Sequence, residues 1–600
     1  MTQLGDELFL ARSYGENLMK PLKYVQLVGA TGIALILATP GFAQTVTNQV
    51  SSGDNAQTNT LTSTSTGTGI TVIDVTSQNG SAAVNQIGGL LPSPGVASPS
   101  VSVTTVNDTV GGFQLQQALD AGATAMLGNT NNVAAIGTSS LASSVTAAGN
   151  QSASGNLNTA AFATANLGTA PAQGSLIQAL GTGTGLAGVV GITSSNSISA
   201  QAANGAATVG IAGTTTLQSA SANINSALAS PGSAGAILGL DQKAQNGGGV
   251  TTTTTNVATA NSANGGIPTI DPSVNSLTQA AQTNLNTFSS IGTNAISLAN
   301  ATSTGGVGSG GQNASFAAGT NAFEATQGNL ATATTGSGQL GVGSTAVNNV
   351  SQLSTLNVNT VAGGGSVNFG NSSSPFQQTA SLTGGSPGSA SFSGATTLAP
   401  VTVALGVSAG SILANGQAAL TSNGNATINA SGASAQQVGL SVNSATSGGL
   451  VSGNLLQTNG ADFGGPSTVN AAAANTTLGN AAVNNLAQQQ VAMLNNVSAA
   501  GGASGLSLTQ NSVGVATLGG ANTQSASTTN GVAAISGATQ SLSAGLNTAS
   551  FGSLGGGANT IQQNAAGATL TNANTLTAHG AAAVISGASQ SAVSSTNVIR

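Results

Sequence analysis

From Gln44 to Arg600 only ten side chains carry a formal charge: Asp54, Asp74, Asp108, Asp120, Asp241, Lys243, Asp271, Glu324, Asp462 and Arg600. Two stretches of 137 residues, 325–461 and 463–599, carry none. Charged residues make up 3% of the chain, against about 25% in ordinary soluble proteins. Gly, Ala, Ser, Thr, Asn and Gln take their place, and ten Phe are the only aromatics after Gln44. Large apolar side chains are too sparse for a thick core. They suffice for a thin one, and a thin core is filled when a short unit stacks on copies of itself.

Stacking accounts for the missing charges. Equivalent side chains on neighbouring strands sit about 4.8 Å apart. Like charges at that distance repel by about 1 kcal/mol even in bulk water, and by more where water is excluded. Asn, Gln, Ser and Thr hydrogen-bond up such a stack instead.

Internal similarity supports this reading. Residues 533–541 read AAISGATQS and 583–591 read AVISGASQS, an offset of 50 that Asn547 and Asn597 preserve. Residues 157–162 (LNTAAF) and 546–551 (LNTASF) match as well. Glycines at 501/502, 519/520, 537 and 555/556 advance by 18. Between them, runs such as 512–518 (SVGVATL) and 438–442 (VGLSV) alternate apolar with small or polar residues, which is a strand pattern bounded by turns. The expected fold is all-β: a repetitive β-solenoid with Gly/Pro-rich loops. At about 18 residues per coil it would have about 30 coils and a length of ~150 Å.

The N-terminus reads as a leader. Lys20 and Lys23 precede an apolar run over 27–38, and Gly41 and Ala43 suit a signal peptidase, so cleavage after Ala43 is expected. Met19 is an alternative start. The apolar run is shorter than the ~20 residues a spanning helix needs, and no membrane span is expected after cleavage. The remaining boundaries follow proline: a Thr/Ser-rich segment and linker over 44–100, a first repeat region over 101–265, a second, Gly-rich, over 291–400, and a third over 401–600 that is most regular after Pro466. Two segments read as short inserted helices. Asp271-Pro272 followed by Val274, Leu277, Ala281, Leu285 and Phe288 predicts one over 266–290. Val483, Leu486, Ala487, Val491 and Leu494 predict another.

No chemistry of catalysis assembles, so no catalytic, cofactor-binding or metal residue is assigned and an enzyme is not expected. His579 is alone, and the nearest acid in sequence is Asp462; zinc wants three or four ligands. The acids are scattered singly rather than paired for glycoside cleavage. The GxGxxG stretches at Gly183–Gly188 and Gly306–Gly311 are what 86 glycines produce by chance. The sequons at Asn313, Asn425 and Asn475 are equally expected in this composition. The threonine runs over 251–255 and 62–68 could present threonine rows. With Lys243 and Arg600 the only cations beyond the leader, no nucleic-acid partner is expected. The absence of Cys excludes disulfides and thiolate metal sites.

The leader and the charge-poor, drifting Gly/Asn/Thr/Ser repeats resemble exported bacterial β-strand-repeat and adhesin-like surface proteins. The spacing of Gln540, Asn547, Gln562, Gln563, Asn564 and Gln590 is also similar to curlin repeats. The resemblance implies an exported structural or adhesive protein at the surface or in the matrix of a Gram-negative bacterium, with a surface or self-association partner and the capacity to form a homo-polymer. Two alternatives stand beside it: a functional amyloid subunit of a biofilm matrix, and a largely disordered secreted chain.

Overall fold

Alternation along single strands sets the architecture. In Val250–Ser262, Val250, Thr252, Thr254, Asn256 and Ala258 are buried, while Thr251, Thr253, Thr255 and Val257 between them are half-buried. Side chains two apart share a face of a strand, so inward positions here are filled by threonine and asparagine as well as aliphatics. The computed structural model describes residues between 46 and 600, with interruptions. The first 45 residues, 88–112 and several shorter connecting stretches lie outside the described residues, and with them the leader and the linker prolines Pro92, Pro94 and Pro99.

The described residues are all-β and contain no helix. They form three large sheets, here A, B and C, of 11, 9 and 15 strands. Pairing within them is parallel. The chain visits the sheets in a fixed order. Gly502–Val513 lies in A, Thr517–Thr528 in B, Val532–Ser536 and Thr539–Phe551 in C, and Thr560–Ala566 is back in A. Sheet B takes its nine strands in chain order, from Asn55–Gly67 to Thr569–His579. The one antiparallel pair among the described residues, Ser389–Phe392 with Val401–Ala404, stands outside these sheets.

The core lies between the sheets in narrow columns. Leu157, Ile224, Leu285, Val358, Val442, Leu494 and Leu546 are successive partners in sheet C, and all are fully buried. Burying an aliphatic side chain of this size stabilises by about 1.5–3 kcal/mol. Phe288, Phe369 and Phe376 fill the space between sheets C and A, the last two with ring centroids 5.6 Å apart.

Two expectations are corrected. The segment expected to be helical over 266–290 is a strand, Pro268–Ser290. Leu277, Ala281 and Leu285 are indeed buried, but so are Gln279 and Thr283 between them. A spacing of four satisfies a strand as well as a helix, and the inward polar residues disguised the period of two. The segment around Leu486 likewise forms strands Ala481–Asn484 and Ala487–Ala499, with Leu486, Gln488, Gln490 and Leu494 buried. Pairing around Asp271 and Pro272 breaks between Ile270 and Ser276, where a proline that cannot donate to the ladder is tolerated.

The second correction concerns the period. Residues that pair are 50 to 84 apart along the glutamine column of sheet C, not 18. The offset of 50 seen in the sequence is the true register, with Ala533 paired to Ala583 and Gln540 to Gln590. The 18-residue glycine spacing is about a third of one passage through the three sheets. Gly537, at φ +67, and Gly587, at φ +60, turn the chain between two strands of sheet C in successive passes. Nine strands at about 4.8 Å spacing span about 40 Å rather than the 150 Å of thirty short coils.

Candidate functional site

Among the described residues, eight non-glycine residues have positive φ, and all are asparagines: Asn158, Asn225, Asn286, Asn359, Asn443, Asn495, Asn547 and Asn597, with φ between 50° and 56°. Asparagine is among the side chains that best tolerate this left-handed region. All eight follow the aliphatic column of sheet C or its continuation, so they occur once per pass. Their amides form one ladder, in which Nδ2 of each donates to Oδ1 of the next at 2.8–2.9 Å.

A glutamine column in sheet A faces this corner. Gln178, Gln242, Gln312, Gln378, Gln457, Gln510 and Gln563 are successive partners, each Nε2 donating to the Oε1 of the one before at 2.7–2.8 Å. Gln116 and Gln49 extend the column by backbone register. Each Nε2 also donates to the carbonyl of an asparagine in the ladder, as Gln312 does to Asn286 and Gln378 to Asn359. The asparagines return the bond: Asn286 Nδ2 donates to the carbonyl of Asn313, and Asn359 Nδ2 to that of Thr379, each one residue past a column glutamine. A primary amide has two donors; the asparagines spend one along the ladder and one across it, and the glutamine amide nitrogens share theirs among one acceptor along the column and two carbonyls across it, as Gln312 does with Gln242, Asn286 and Thr360. The arrangement satisfies backbone carbonyls that a bent chain would leave unpaired inside the protein.

Sheet C carries a second glutamine column: Gln78, Gln151, Gln218, Gln279, Gln352, Gln436, Gln488, Gln540 and Gln590, joined at 2.7–2.9 Å. It bonds across to sheet B carbonyls, as Gln218 does to Thr255 and Gln540 to Thr575. The inner column of sheet B opposite it is mixed. It runs Asn59, Asn129, Ser194, Thr254, Gln327, Asn415, Ser467, Asn522 and Asn574.

The outward face of sheet B bears hydroxyls on its early strands, interrupted by Gly128, and gives way to residues such as Ala573 on the later ones. Thr58, Thr60, Thr62, Thr64 and Thr66 are exposed on its first strand. Thr193 and Thr253 stand in the same register column as Thr58, and Ser195 and Thr255 in that of Thr60. The threonine runs of the sequence therefore alternate, with Thr252 and Thr254 turned inward and Thr251, Thr253 and Thr255 outward.

The titratable residues do not converge. His579 is exposed on the last strand of sheet B. Asp462 and Gly183–Gly188 lie outside the described residues, and of the second glycine motif only Gly311 is described. Among the described residues no group of three or more His, Asp or Glu is placed to hold a metal ion. Among the described residues one ion pair is present: Lys243 Nζ bonds Asp241 Oδ2 at 2.9 Å. Burial pushes the Asp241 carboxyl above its ordinary value, against the lowering effects of the Lys243 hydrogen bond and charge. Its Oδ1 is buried without a partner. An open groove of about 490 Å³, bordered by Ser447, Gly448, Ser498, Phe551 and Gly552, contains no titratable side chain.

Sequence reasoning found individual rungs of the ladders. Gln540, Asn547, Gln563 and Gln590 all fall in them, whereas the columns as wholes were missed. Their signal was glutamine or asparagine recurring every 50 to 84 residues, blurred by connections of unequal length. The chain matches no protein-family model, and neither the curated proteins nor the solved structures contain a match.

Proposed function

We propose that this chain is a non-enzymatic structural or adhesive protein, built as a β-solenoid with one turn per passage through sheets A, B and C and exported to the surface or extracellular matrix of a Gram-negative bacterium. The observation that carries the reading is the set of continuous amide ladders, the longest of which takes one glutamine from each of nine turns. Residues 50 to 84 apart meet through identical side chains, which is the economy of a stacked coil. A scaffold of this kind offers its outward face as a repeating array. On the early strands of sheet B the array is hydroxyl-rich, with exposed Thr58, Thr60, Thr62 and Thr64 on the first of them and Thr193, Ser195, Thr253 and Thr255 in register with Thr58 and Thr60. Each hydroxyl binds weakly, and a row of them binds through many simultaneous contacts. Export rests on the leader sequence, with Lys20, Lys23 and the apolar run ahead of Ala43.

A second reading, a functional amyloid subunit, draws on the same parallel stacking of Gln on Gln and Asn on Asn, which is also the chemistry of cross-β fibrils. The two differ in whether the stack is made within one chain or between chains. Protease shaving of intact cells, with sequencing of the released chain's N-terminus and an adherence assay on cells with and without the gene, tests the first reading. Surface release, a mature end at Gln44 and loss of adherence on deletion are expected. A cytosolic chain that retains Met1, with adherence unchanged, would contradict it. Thioflavin-positive fibrils forming only from denatured chain would favour the second.

A further inference from the structure

The ladders have a direction, and the two ends of the stack carry matching halves of it. We propose that the edge formed by the last pass, residues 560–599, receives the first pass, residues 46–87, of a second copy of this chain, so that copies join head to tail into a continuous parallel stack. The proposal rests on the coil reading above and deepens it.

Four polar columns define the match. The last pass presents Gln563, Asn574, Gln590 and Asn597, and the first pass has Gln49, Asn59, Gln78 and Asn85 at the corresponding register positions. A second copy set one strand spacing beyond the last pass would therefore place glutamine on glutamine and asparagine on asparagine in every column. Polarity then selects the orientation. In the glutamine columns each Nε2 donates to the preceding pass, so Gln590 donates to Gln540 and Gln151 to Gln78. In the asparagine ladder each Nδ2 donates to the following pass, so Asn547 donates to Asn597. Joining a last pass to a first pass continues both directions at once. Joining like ends would set donor against donor in one column and acceptor against acceptor in the other.

The edge is also built to be covered. Ile585 is 49% exposed, while its partner one pass earlier, Ile535, is fully buried; Ile599 is 50% exposed above a buried Ala549. Proteins blunt open sheet edges with charges, prolines or bulges, yet residues 560–599 contain no proline and no Asp, Glu, Lys or Arg.

The test is sedimentation velocity with electron microscopy of the purified chain over a range of concentrations, beside a variant carrying Ala583→Lys and Gln590→Lys, which stand at the register positions of the apolar Val72 and of Gln78 in the first pass. Both changes sit on the exposed edge pass, and circular dichroism and melting temperature establish that the variant is folded. Linear multiples are expected from the native sequence, with association weakened by about a hundredfold or more in the variant because a lysine would be left unpaired inside the joint. A chain that stays monomeric, or a folded variant that associates as well as the native chain, overturns the proposal. In the first case, protection of Ile585 from hydrogen exchange would show that another segment of the chain covers the edge. An end-to-end coil distance (below) that fails would instead remove the coil reading on which the proposal rests.

Discussion

The asparagine ladder of sheet C and the inner column of sheet B run the same length of the molecule, yet one holds a single residue type and the other drifts. The first is Asn in all eight described passes with positive φ. The second passes through Asn59, Ser194, Thr254, Gln327 and Ser467. The difference is conformational. At the ladder the chain bends through the left-handed region, which excludes β-branched side chains at a cost of about 1–2 kcal/mol. The bend also leaves carbonyls that the glutamines of sheet A must reach. Backbone conformation, ladder bond and cross-bond all demand the same side chain. In sheet B the glutamines of sheet C also reach backbone carbonyls, as Gln218 does at Thr255, but the backbone there is extended and no bend calls for asparagine, so the column holds Asn, Ser, Thr and Gln alike.

The largest test of this contrast is Asn359→Val. It combines a disfavoured φ with loss of the bonds to Asn286, Asn443 and Thr379. A destabilisation of about 3–5 kcal/mol is expected in urea unfolding, against about 1–2 kcal/mol for Asn522→Ser in sheet B, which gives up bonds to Asn574, Ser541 and Gln490 but leaves an extended backbone undisturbed. Asn359→Gly keeps the bend and should fall between the two. Equal costs at the two sites would dissolve the comparison.

Next in size is Gln312→Leu. It removes bonds to Gln242, Asn286 and Thr360 together and should cost about 2–3 kcal/mol. The same change at Gln327, whose Oε1 has no partner and whose Nε2 bonds, among the described residues, the carbonyl of Leu353 alone, should cost under about 1 kcal/mol.

A gain is expected at Asn459. Its side-chain N and O are both buried without partners, while Ala244, Ala314 and Ala380 occupy the same column. Asn459→Ala should stabilise by about 1 kcal/mol, the relief of an unsatisfied amide. A loss of that size would mean that the amide has a partner in solution.

The smallest effect concerns Asp241. Its folded-state pKa is raised by burial, so the folded chain holds the proton more tightly than the unfolded one. The contribution of this group to stability is therefore greatest below the ordinary carboxylate value and falls as pH rises through the shifted one. Asp241→Asn should remove that slope from a pH series of unfolding midpoints. A slope of the opposite sign in the native chain would show that the Lys243 charge outweighs burial.

These cases also mark what could be read in the sequence. Low charge and alternating runs gave an all-β chain, and the 533–541 and 583–591 repeat held the true register. The helix expected near Leu285 failed because Gln279 and Thr283 face inward, and a hydropathy pattern counts them as outward. The period failed because the glycines mark each third of a pass, while unequal connections carry the pairing distance from 50 to 84 residues. The ladders were invisible for the same reason: a column is a property of register, and register here is set by connections of differing length.

The central claim is that each pass through three sheets adds one strand spacing. Cysteines placed at Thr60 and Thr575 in this cysteine-free chain, both exposed and in one register column of sheet B, can carry spin labels for a dipolar distance measurement. Eight strand spacings predict a narrow distribution near about 38 Å between residues far apart in sequence. A value near about 140 Å would restore the 18-residue coil, and a broad distribution, as from an unfolded chain with a radius of gyration of about 85 Å, would contradict a stacked fold altogether.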